Sequence, residues 1–199
     1  MGSSRRRLFG IDRSGPLPRA TRRGAPLRPF TIPNLVGYVR LAAIPVFLAV
    51  ALDSGDGRYA PATLIYVFIT AGDYLDGFLA RATGQYSRMG ALLDPVVDRA
   101  AVLAGVVVCW HFELLPRWAL ALLAVRELVT LVLAQLALRR GIDIEVNWIG
   151  RIGVFLVFGS IGLSLMLDWW IIDALFVLGV AISIGATWVY VRAGLGRSA

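Results

Sequence analysis

The chain has 199 residues, of which 58% are hydrophobic, and a formal net charge of +7 at pH 7. This length fits one domain, and this hydrophobic content excludes an ordinary soluble domain and indicates an integral membrane protein. The single cysteine excludes an intrachain disulfide framework. Since the basic residues are concentrated in the N-terminal tail and in loops, we predict no nucleic-acid partner.

The first 29 residues predict a flexible basic tail. They contain eight arginines, four prolines and one acidic residue, and they show no apolar periodicity. Such a tail orients the protein and binds anionic membrane lipids. We predict three parts of the chain: the tail at 1–29, a membrane domain at 30–194 and a short C-terminal tail at 195–199.

Six apolar spans follow the tail, each near the ~20 residues that a helix needs to cross a bilayer. Pro33 and Asn34 are a helix-start signal before the first span, and Arg40 within it would extend to the membrane surface or meet a phosphate. We therefore predict an all-α integral membrane protein with six transmembrane helices. The spans are 35–52, 60–81, 90–110, 118–138, 152–167 and 171–191.

Arginine placement predicts the orientation in the membrane. An even number of spans puts both termini on one side, and only Arg58 and Arg117 fall on the other. By the positive-inside rule we predict a multi-pass protein of the bacterial cytoplasmic membrane with both termini in the cytoplasm. Besides the tail, the arginines on the predicted cytoplasmic side are Arg81, Arg88, Arg139, Arg140, Arg151, Arg192 and Arg197.

Four aspartates lie in or beside the second and third spans. Asp73 and Asp76 are separated by about 60° around a helix, and Asp94 and Asp98 by about 40°, so each pair shares one helix face. Buried carboxylates need a cation, and four hard oxygen ligands suit Mg²⁺ or Mn²⁺. We predict a metal site with two ions at the cytoplasmic side.

Small and basic residues surround these acids. Gly77 and Ala80 let a neighbour approach the first acidic helix closely, and Gly90 is expected to open the second helix without bulk. Arg81 ends the first helix with a cation that can bind a phosphate in a forked geometry. This set indicates a phosphate-bearing substrate.

The pattern D-x2-D-G-x2-A-R-x8-G-x3-D-x3-D resembles that of the CDP-alcohol phosphatidyltransferases, and all eight fixed positions match. Thr31-Ile-Pro-Asn34 before the first span also resembles the bacterial phosphatidylglycerophosphate and cardiolipin synthases of that family. The alternative is a pair of membrane helices whose acids are satisfied by arginines elsewhere in the chain. That alternative explains the charges but not Gly77, Ala80 and Gly90.

The resemblance implies a reaction in which an acceptor hydroxyl displaces CMP from CDP-diacylglycerol and takes the phosphatidyl group. It also implies a homodimer. Asp98 would be a further metal ligand or the general base for the acceptor hydroxyl. By the same resemblance, the principal metal ligands are Asp73, Asp76 and Asp94, and Gly77, Arg81 and Gly90 shape the nucleotide and diphosphate pocket.

The acceptor is predicted from other arginines. Arg126 and Glu127 lie deep in the fourth span, and adjacent helix residues point about 100° apart, which argues against a simple mutual pair. We predict glycerol 3-phosphate, bound by Arg88, Arg126 and Arg151. The match to phosphatidylglycerophosphate synthases is poorer here, because Ala134-Gln135 replaces a second Arg-Glu and Arg99 replaces the usual lysine.

Four other functions stay open. The same chemistry with phosphatidylglycerol as the acceptor would make cardiolipin and would use every motif residue. Another CDP-alcohol phosphotransferase activity of the family is the second. An ion-coupled transporter with buried carboxylates would release no CMP and would need no arginine such as Arg81 at the motif. A relative without activity would keep the fold, but the four aspartates would then have no purpose.

Overall fold

The computed structural model describes residues 26–140 and 148–196. In these ranges the chain is all-helical, and each predicted span overlaps one helix, so the predicted fold class is confirmed at that level. Residues 1–25 of the predicted basic tail, residues 141–147 and the last three residues lie outside the described residues. The helices are α1 Ile32–Leu52, α2 Ala60–Thr83, α3 Arg88–His111, α4 Arg117–Arg140, α5 Trp148–Ser164 and α6 Trp170–Gly196.

Local sequence explains where α1 begins. The Thr31 hydroxyl oxygen accepts a hydrogen bond from the backbone N–H of Asn34 at 3.4 Å, which is an N-cap. Pro33 lies in the first turn, where a helix needs no backbone donor. The helix therefore begins near the predicted signal, but three residues earlier than the predicted span, and its capping residue is Thr31 and not Asn34.

The connection between α2 and α3 is shorter than the eight residues predicted. Helix α2 ends at Thr83, and the next residue, Gly84, has a φ of +66°, which suits the left-handed residue after a helix. Helix α3 begins at Arg88 and not at Gly90, because the Ser87 hydroxyl caps it by accepting the Gly90 N–H at 3.0 Å. Both acidic helices are therefore longer at this end than the sequence predicted.

One compact unit comprises Met1–Val50 and Leu64–Ala104, and it includes most of α1 and α2 and the first part of α3. Its core is apolar: Phe47 and Ile69 are fully buried, and the rings of Phe47 and Tyr66 lie 5.2 Å apart. All four aspartates of the motif belong to this unit.

The second unit comprises Ala51–Thr63 and Gly105–Ala199 and contains α4, α5 and α6. Helices α5 and α6 pack with their backbones almost touching. A Cβ on Gly153 would lie 2.5 Å from the Ser183 hydroxyl, and a Cβ on Gly179 would lie 3.1 Å from the Val157 nitrogen. Small residues at such a contact are typical of helices that associate in a membrane.

Large apolar side chains point outward from these helices, as in a membrane protein. Leu64 is 70% exposed, Phe155 77% and Trp170 72%. Within the described residues, three helical stretches are long and apolar enough to cross a membrane: Ile32–Leu52, Ala60–Thr83 and Trp170–Trp188. Helix α5 adds a shorter apolar stretch at Gly150–Ser164. The full count of six transmembrane helices stays a prediction.

Candidate active site

The four aspartates of the motif lie on two helices of the first unit. Asp73 and Asp76 lie on α2, and Asp94 and Asp98 lie on α3. Asp76 is buried with 5% of its surface exposed, Asp94 and Asp98 are partly buried, and Asp73 is exposed. The charge of Asp94 interacts with the charges of the other three. The four carboxylates therefore lie near enough to one another for their charges to interact. We call them the acidic cluster.

Arg40 of α1 is the cation that contacts the acidic cluster. Its side chain is fully buried, and Nη1 donates to Asp76 Oδ2 at 2.8 Å. Nη2 donates to Asp98 Oδ1 at 2.9 Å, and Nε donates to the backbone carbonyl of Ile69 at 2.8 Å. One planar guanidinium thus joins α1, α2 and α3. The expectation that Arg40 extends to the membrane surface is wrong, because its side chain is fully buried and its three nitrogens donate to protein oxygens. That it meets a phosphate stays a prediction.

The alternative interpretation of the motif was that arginines elsewhere in the chain neutralise the four aspartates, and the Arg40 contacts agree with it in part. Arg40 pairs with Asp76 and Asp98, whereas among the side chains that the structure describes, at 26–133 and 150–188, no arginine is seen in an ion pair with Asp73 or Asp94. Two of the four carboxylates therefore remain for another cation.

Divalent metal ions are the cations predicted for the acidic cluster. In the described part of the chain, no group of three or more histidine, cysteine, aspartate or glutamate side chains is arranged to hold a metal ion. Arg40 instead takes one oxygen each from Asp76 and Asp98. By its chemistry the donor set still fits a divalent cation, since it offers four hard carboxylate oxygen ligands whose charges interact.

The glycines and the arginine of the motif have distinct neighbours. A Cβ on Gly77 would lie 3.3 Å from Arg81 Nη1, so the absence of a side chain leaves room for that guanidinium. A Cβ on Gly90 would lie 2.8 Å from Asn34 Oδ1. Gly90 is therefore required by a buried contact with α1, which the sequence did not reveal.

Asn34 is the centre of that contact. It is buried, its side-chain amide donates to the carbonyls of Arg28 and Pro29 at 3.0 Å each, and its Oδ1 accepts from the Ser87 hydroxyl at 2.8 Å. The residue that we took only as a helix-start signal therefore ties the segment before α1 to the cap of α3. In the sequence, this contact is marked only by an asparagine that follows a proline.

The three predicted acceptor-binding arginines are on separate helices. Arg88 is the first residue of α3, and Arg151 lies in the first turn of α5. Arg126 lies on α4 of the second unit, where Nη1 pairs with Glu127 Oε1 and Nε donates to Thr187 Oγ1 at 3.3 Å. The argument against a mutual Arg126–Glu127 pair is wrong, because the two long side chains bend towards each other despite their separation around the helix.

All-helical architecture, long apolar helices and a motif of paired aspartates with glycine and arginine define a class of membrane transferases that act on phosphate-bearing lipids. This chain belongs to the CDP-alcohol phosphatidyltransferase family, whose model matches residues 30–189. The match covers α1 to α5 and most of α6. The family is one of enzymes that generally use divalent metal ions.

Relatives with assigned names fall into two groups. A cardiolipin synthase (CMP-forming) of Streptomyces coelicolor is 35% identical over 84% of this chain and 81% of that protein. A probable phosphatidylglycerophosphate synthase of Mycobacterium tuberculosis is 34% identical over 67% of this chain and 65% of its own length. A CDP-diacylglycerol–glycerol-3-phosphate 3-phosphatidyltransferase of Bacillus subtilis is 26% identical over 62% of this chain and 70% of its own length.

Proposed function

We propose that this protein moves the phosphatidyl group from CDP-diacylglycerol to glycerol 3-phosphate and releases CMP. The acidic cluster is the observation that supports this proposal most strongly. Its four interacting carboxylates stand at the positions of the family motif, and carboxylates are the ligands for metal ions that bind the diphosphate of the substrate. The Bacillus subtilis relative, which is named for this reaction, supports glycerol 3-phosphate as the acceptor. The step belongs to phospholipid biosynthesis.

Asp73, Asp76 and Asp94 are the proposed metal ligands, with Asp98 as a further ligand. Two ions, Mg²⁺ or Mn²⁺, would neutralise the diphosphate and stabilise the charge that develops on the departing CMP. Asp73 and Asp94 are the ligands for which the described side chains, at 26–133 and 150–188, provide no arginine ion pair. Arg81, whose guanidinium lies against Gly77, is the proposed ligand of a phosphate oxygen.

Asp98 is the proposed general base. The acceptor oxygen forms a bond to the phosphorus that bears the diacylglycerol, the bond from that phosphorus to CMP breaks, and the acceptor proton goes to Asp98. Exposure supports this choice over Asp76, because the Asp98 side chain is 41% exposed against 6% for Asp76. Arg40 binds one oxygen of each carboxylate, so the second oxygen of Asp98 is the one that a substrate hydroxyl reaches more easily.

The acceptor site is the least constrained part of the proposal. Arg88 and Arg151 are proposed to bind the acceptor phosphate, with Arg126 contributing through the donors that Glu127 does not use. Gly90 shapes the pocket indirectly, because its contact with Asn34 sets where α3 begins.

Phosphatidylglycerol is the second candidate acceptor, and two observations favour it. The Streptomyces coelicolor relative named as a cardiolipin synthase matches 84% of this chain. Glu127 neutralises Arg126, which leaves less positive charge for a dianion such as glycerol 3-phosphate.

Release of CMP from CDP-diacylglycerol tests the function. Purified protein in lipid vesicles with Mg²⁺ receives glycerol 3-phosphate or phosphatidylglycerol in separate reactions, and each lipid product is separated by chromatography. We expect CMP and phosphatidylglycerophosphate with the first acceptor, and no turnover in excess EDTA. Cardiolipin with the second acceptor alone would reassign the acceptor. No CMP with either acceptor would reject the proposal, and full turnover in EDTA would reject the metal site.

We also propose six transmembrane helices, both termini in the cytoplasm of a bacterial cell and a homodimer. The arginine asymmetry and the six described helices support the topology. Single cysteines at Ser54 and Ala199, in a Cys109→Ala background, should react with an impermeant reagent from opposite faces of sealed vesicles. Reaction from the same face would contradict the six-span count. Light scattering in detergent should give twice the chain mass, and a monomer mass would reject the dimer.

A further inference from the structure

Arg40 is a buried cation to which the transfer chemistry assigns no step. It is the only charged residue of α1. A permanent guanidinium on an apolar membrane helix is costly unless its donors are satisfied, so such residues serve a specific contact. Here all three donor nitrogens have protein acceptors at 2.8–2.9 Å.

The surface of α2 is shaped to receive this side chain. Ile69, Gly72 and Asp76 lie on one face of α2, at the helical spacings of three and four residues. Ile69 supplies a carbonyl to Nε, and Asp76 supplies a carboxylate to Nη1. Gly72 lies between them, and a Cβ there would be 2.5 Å from Arg40 Cδ and 2.9 Å from Nε. Because Gly72 has no side chain, it leaves the room in which the Arg40 side chain lies.

Arg40 also separates two like charges that belong to different helices. Asp76 is on α2 and Asp98 is on α3, and each gives one carboxylate oxygen to the same guanidinium. The guanidinium fork fixes both the distance and the angle between two carboxylates that it bridges, which a point charge cannot do. The contact therefore acts on the geometry of the acidic cluster as well as on its charge.

We infer that Arg40 is the positioning residue of the acidic cluster: its guanidinium, lying in the space left by Gly72, holds Asp76 of α2 and Asp98 of α3 in register. This inference rests on the proposed function, since it assigns Arg40 to the site that binds the ions and activates the acceptor. An arginine that only anchored α1 in the fold would have no connection with divalent cations.

Thermal unfolding in detergent, in EDTA and in saturating Mg²⁺, separates these two roles. In EDTA, Arg40→Gln leaves Asp76 and Asp98 without a cation, and we expect the Tm to fall by roughly 6 °C or more. Mg²⁺ supplies positive charge at the same carboxylates, so it should recover most of that loss. An equal loss of Tm in EDTA and in Mg²⁺ would overturn the inference.

Two milder variants keep the test informative if Arg40→Gln does not fold. Arg40→Lys keeps the charge but cannot bridge both carboxylates, so its Tm loss in EDTA should be smaller and its kcat lower than that of the natural protein. Gly72→Ala changes no charge, but its Cβ would displace Arg40 from the two carboxylates, so its Tm should fall in EDTA and recover in Mg²⁺ as for Arg40→Gln. Alanine favours a helix over glycine, so helix preference alone would not lower the Tm. Gly159→Ala on α5 is the matched control, because a Cβ there meets nothing within 4 Å, and its Tm should not fall in either condition.

Kinetics complete the test. In saturating Mg²⁺ we expect Gly72→Ala and Arg40→Lys to lower kcat at least about tenfold while the KM for CDP-diacylglycerol stays within about twofold, because Asp98 is no longer oriented. Unchanged kcat in both variants would overturn the positioning role even if the natural protein is active. Absence of CMP release from the natural protein would instead reject the proposed function, and the Mg²⁺-dependent Tm difference would still report on Arg40.

Discussion

Two regions of this protein bury an arginine against carboxylates, and they do so in opposite ways. In the first unit Arg40 is shared by Asp76 and Asp98, which are 36 and 58 residues away in the chain. In the second unit Arg126 pairs with Glu127, the next residue. The position of Arg40 therefore depends on the packing of three helices. Arg126, in contrast, pairs with a residue of its own helix.

The difference shows which buried charges are available for function. In the Arg126–Glu127 pair one cation meets one anion, so the two charges largely cancel each other. A single guanidinium among four interacting carboxylates does not neutralise the group, so the acidic cluster retains affinity for cations. On this comparison, chemistry belongs to the acidic cluster, and the second unit's pair is first of all a structural contact.

The largest expected effect comes from Asp98, the exposed member of the Arg40 bridge. In Asp98→Asn an amide oxygen can still bind a metal ion or Arg40, but it cannot accept the acceptor's proton. Loss of a general base typically lowers the rate by ~10²–10⁴-fold. We expect turnover to fall by that factor, measured as CMP release, while binding of CDP-diacylglycerol and of metal changes little.

Asp76→Asn is the comparison for Asp98→Asn. Asp76 is 6% exposed at its side chain and is proposed as a ligand and not as the base. Its replacement should raise the Mg²⁺ concentration needed for half-maximal activity. If Asp98→Asn regains turnover once Mg²⁺ is raised, Asp98 is a ligand only and the base assignment is wrong.

The second largest expected effect is on thermal stability, and it tests the Arg126–Glu127 pair. Glu127 is buried, and Glu127→Gln leaves the Arg126 guanidinium without its counter-charge. Removing one partner of a buried ion pair costs about 3–5 kcal/mol, whereas replacing both partners with apolar residues is often neutral. We expect Glu127→Gln to lower the Tm strongly and Arg126→Met/Glu127→Leu to restore it.

The double variant also decides whether Arg126 binds the acceptor. If the pair is only structural, Arg126→Met/Glu127→Leu keeps both stability and the KM for glycerol 3-phosphate. A stable double variant with a raised acceptor KM would contradict the structural role and place Arg126 in the acceptor site.

The sequence predicted the helices and the acid pairs well because both depend on local periodicity. Apolar runs near the membrane-spanning length predicted helices that overlap all six described ones, and spacings of three and four placed the aspartates in pairs on α2 and α3. The same spacings say nothing about a third helix. Arg40 was visible as a lone cation on an apolar span, but its partners depend on which helices pack together.

The failures have the same physical origin. Gly90 was read as a helix start, whereas its reason is Asn34, 56 positions earlier in the chain, whose Oδ1 occupies the space of a Cβ. The Arg126–Glu127 pair was rejected on the angle between adjacent residues, although side chains of that length can converge. Backbone periodicity limits where a side chain starts and not where its charged end lies.

The smallest expected effect concerns the acceptor site. It is tested at an arginine that belongs neither to the acidic cluster with Arg40 nor to the Arg126–Glu127 pair. Arg151 lies in the first turn of α5 and is proposed to bind the acceptor phosphate. A hydrogen bond to a charged group contributes about 1.5–3 kcal/mol, so Arg151→Ala should raise the KM for glycerol 3-phosphate about tenfold or more and leave the KM for CDP-diacylglycerol nearly unchanged. Arg117→Ala is the matched control, because its side chain is 51% exposed and pairs with Glu113 one turn earlier. Initial rates at varied concentrations of each substrate measure both constants. An equal rise of both constants in Arg151→Ala would show that Arg151 supports the fold, and phosphatidylglycerol would then be the better candidate acceptor.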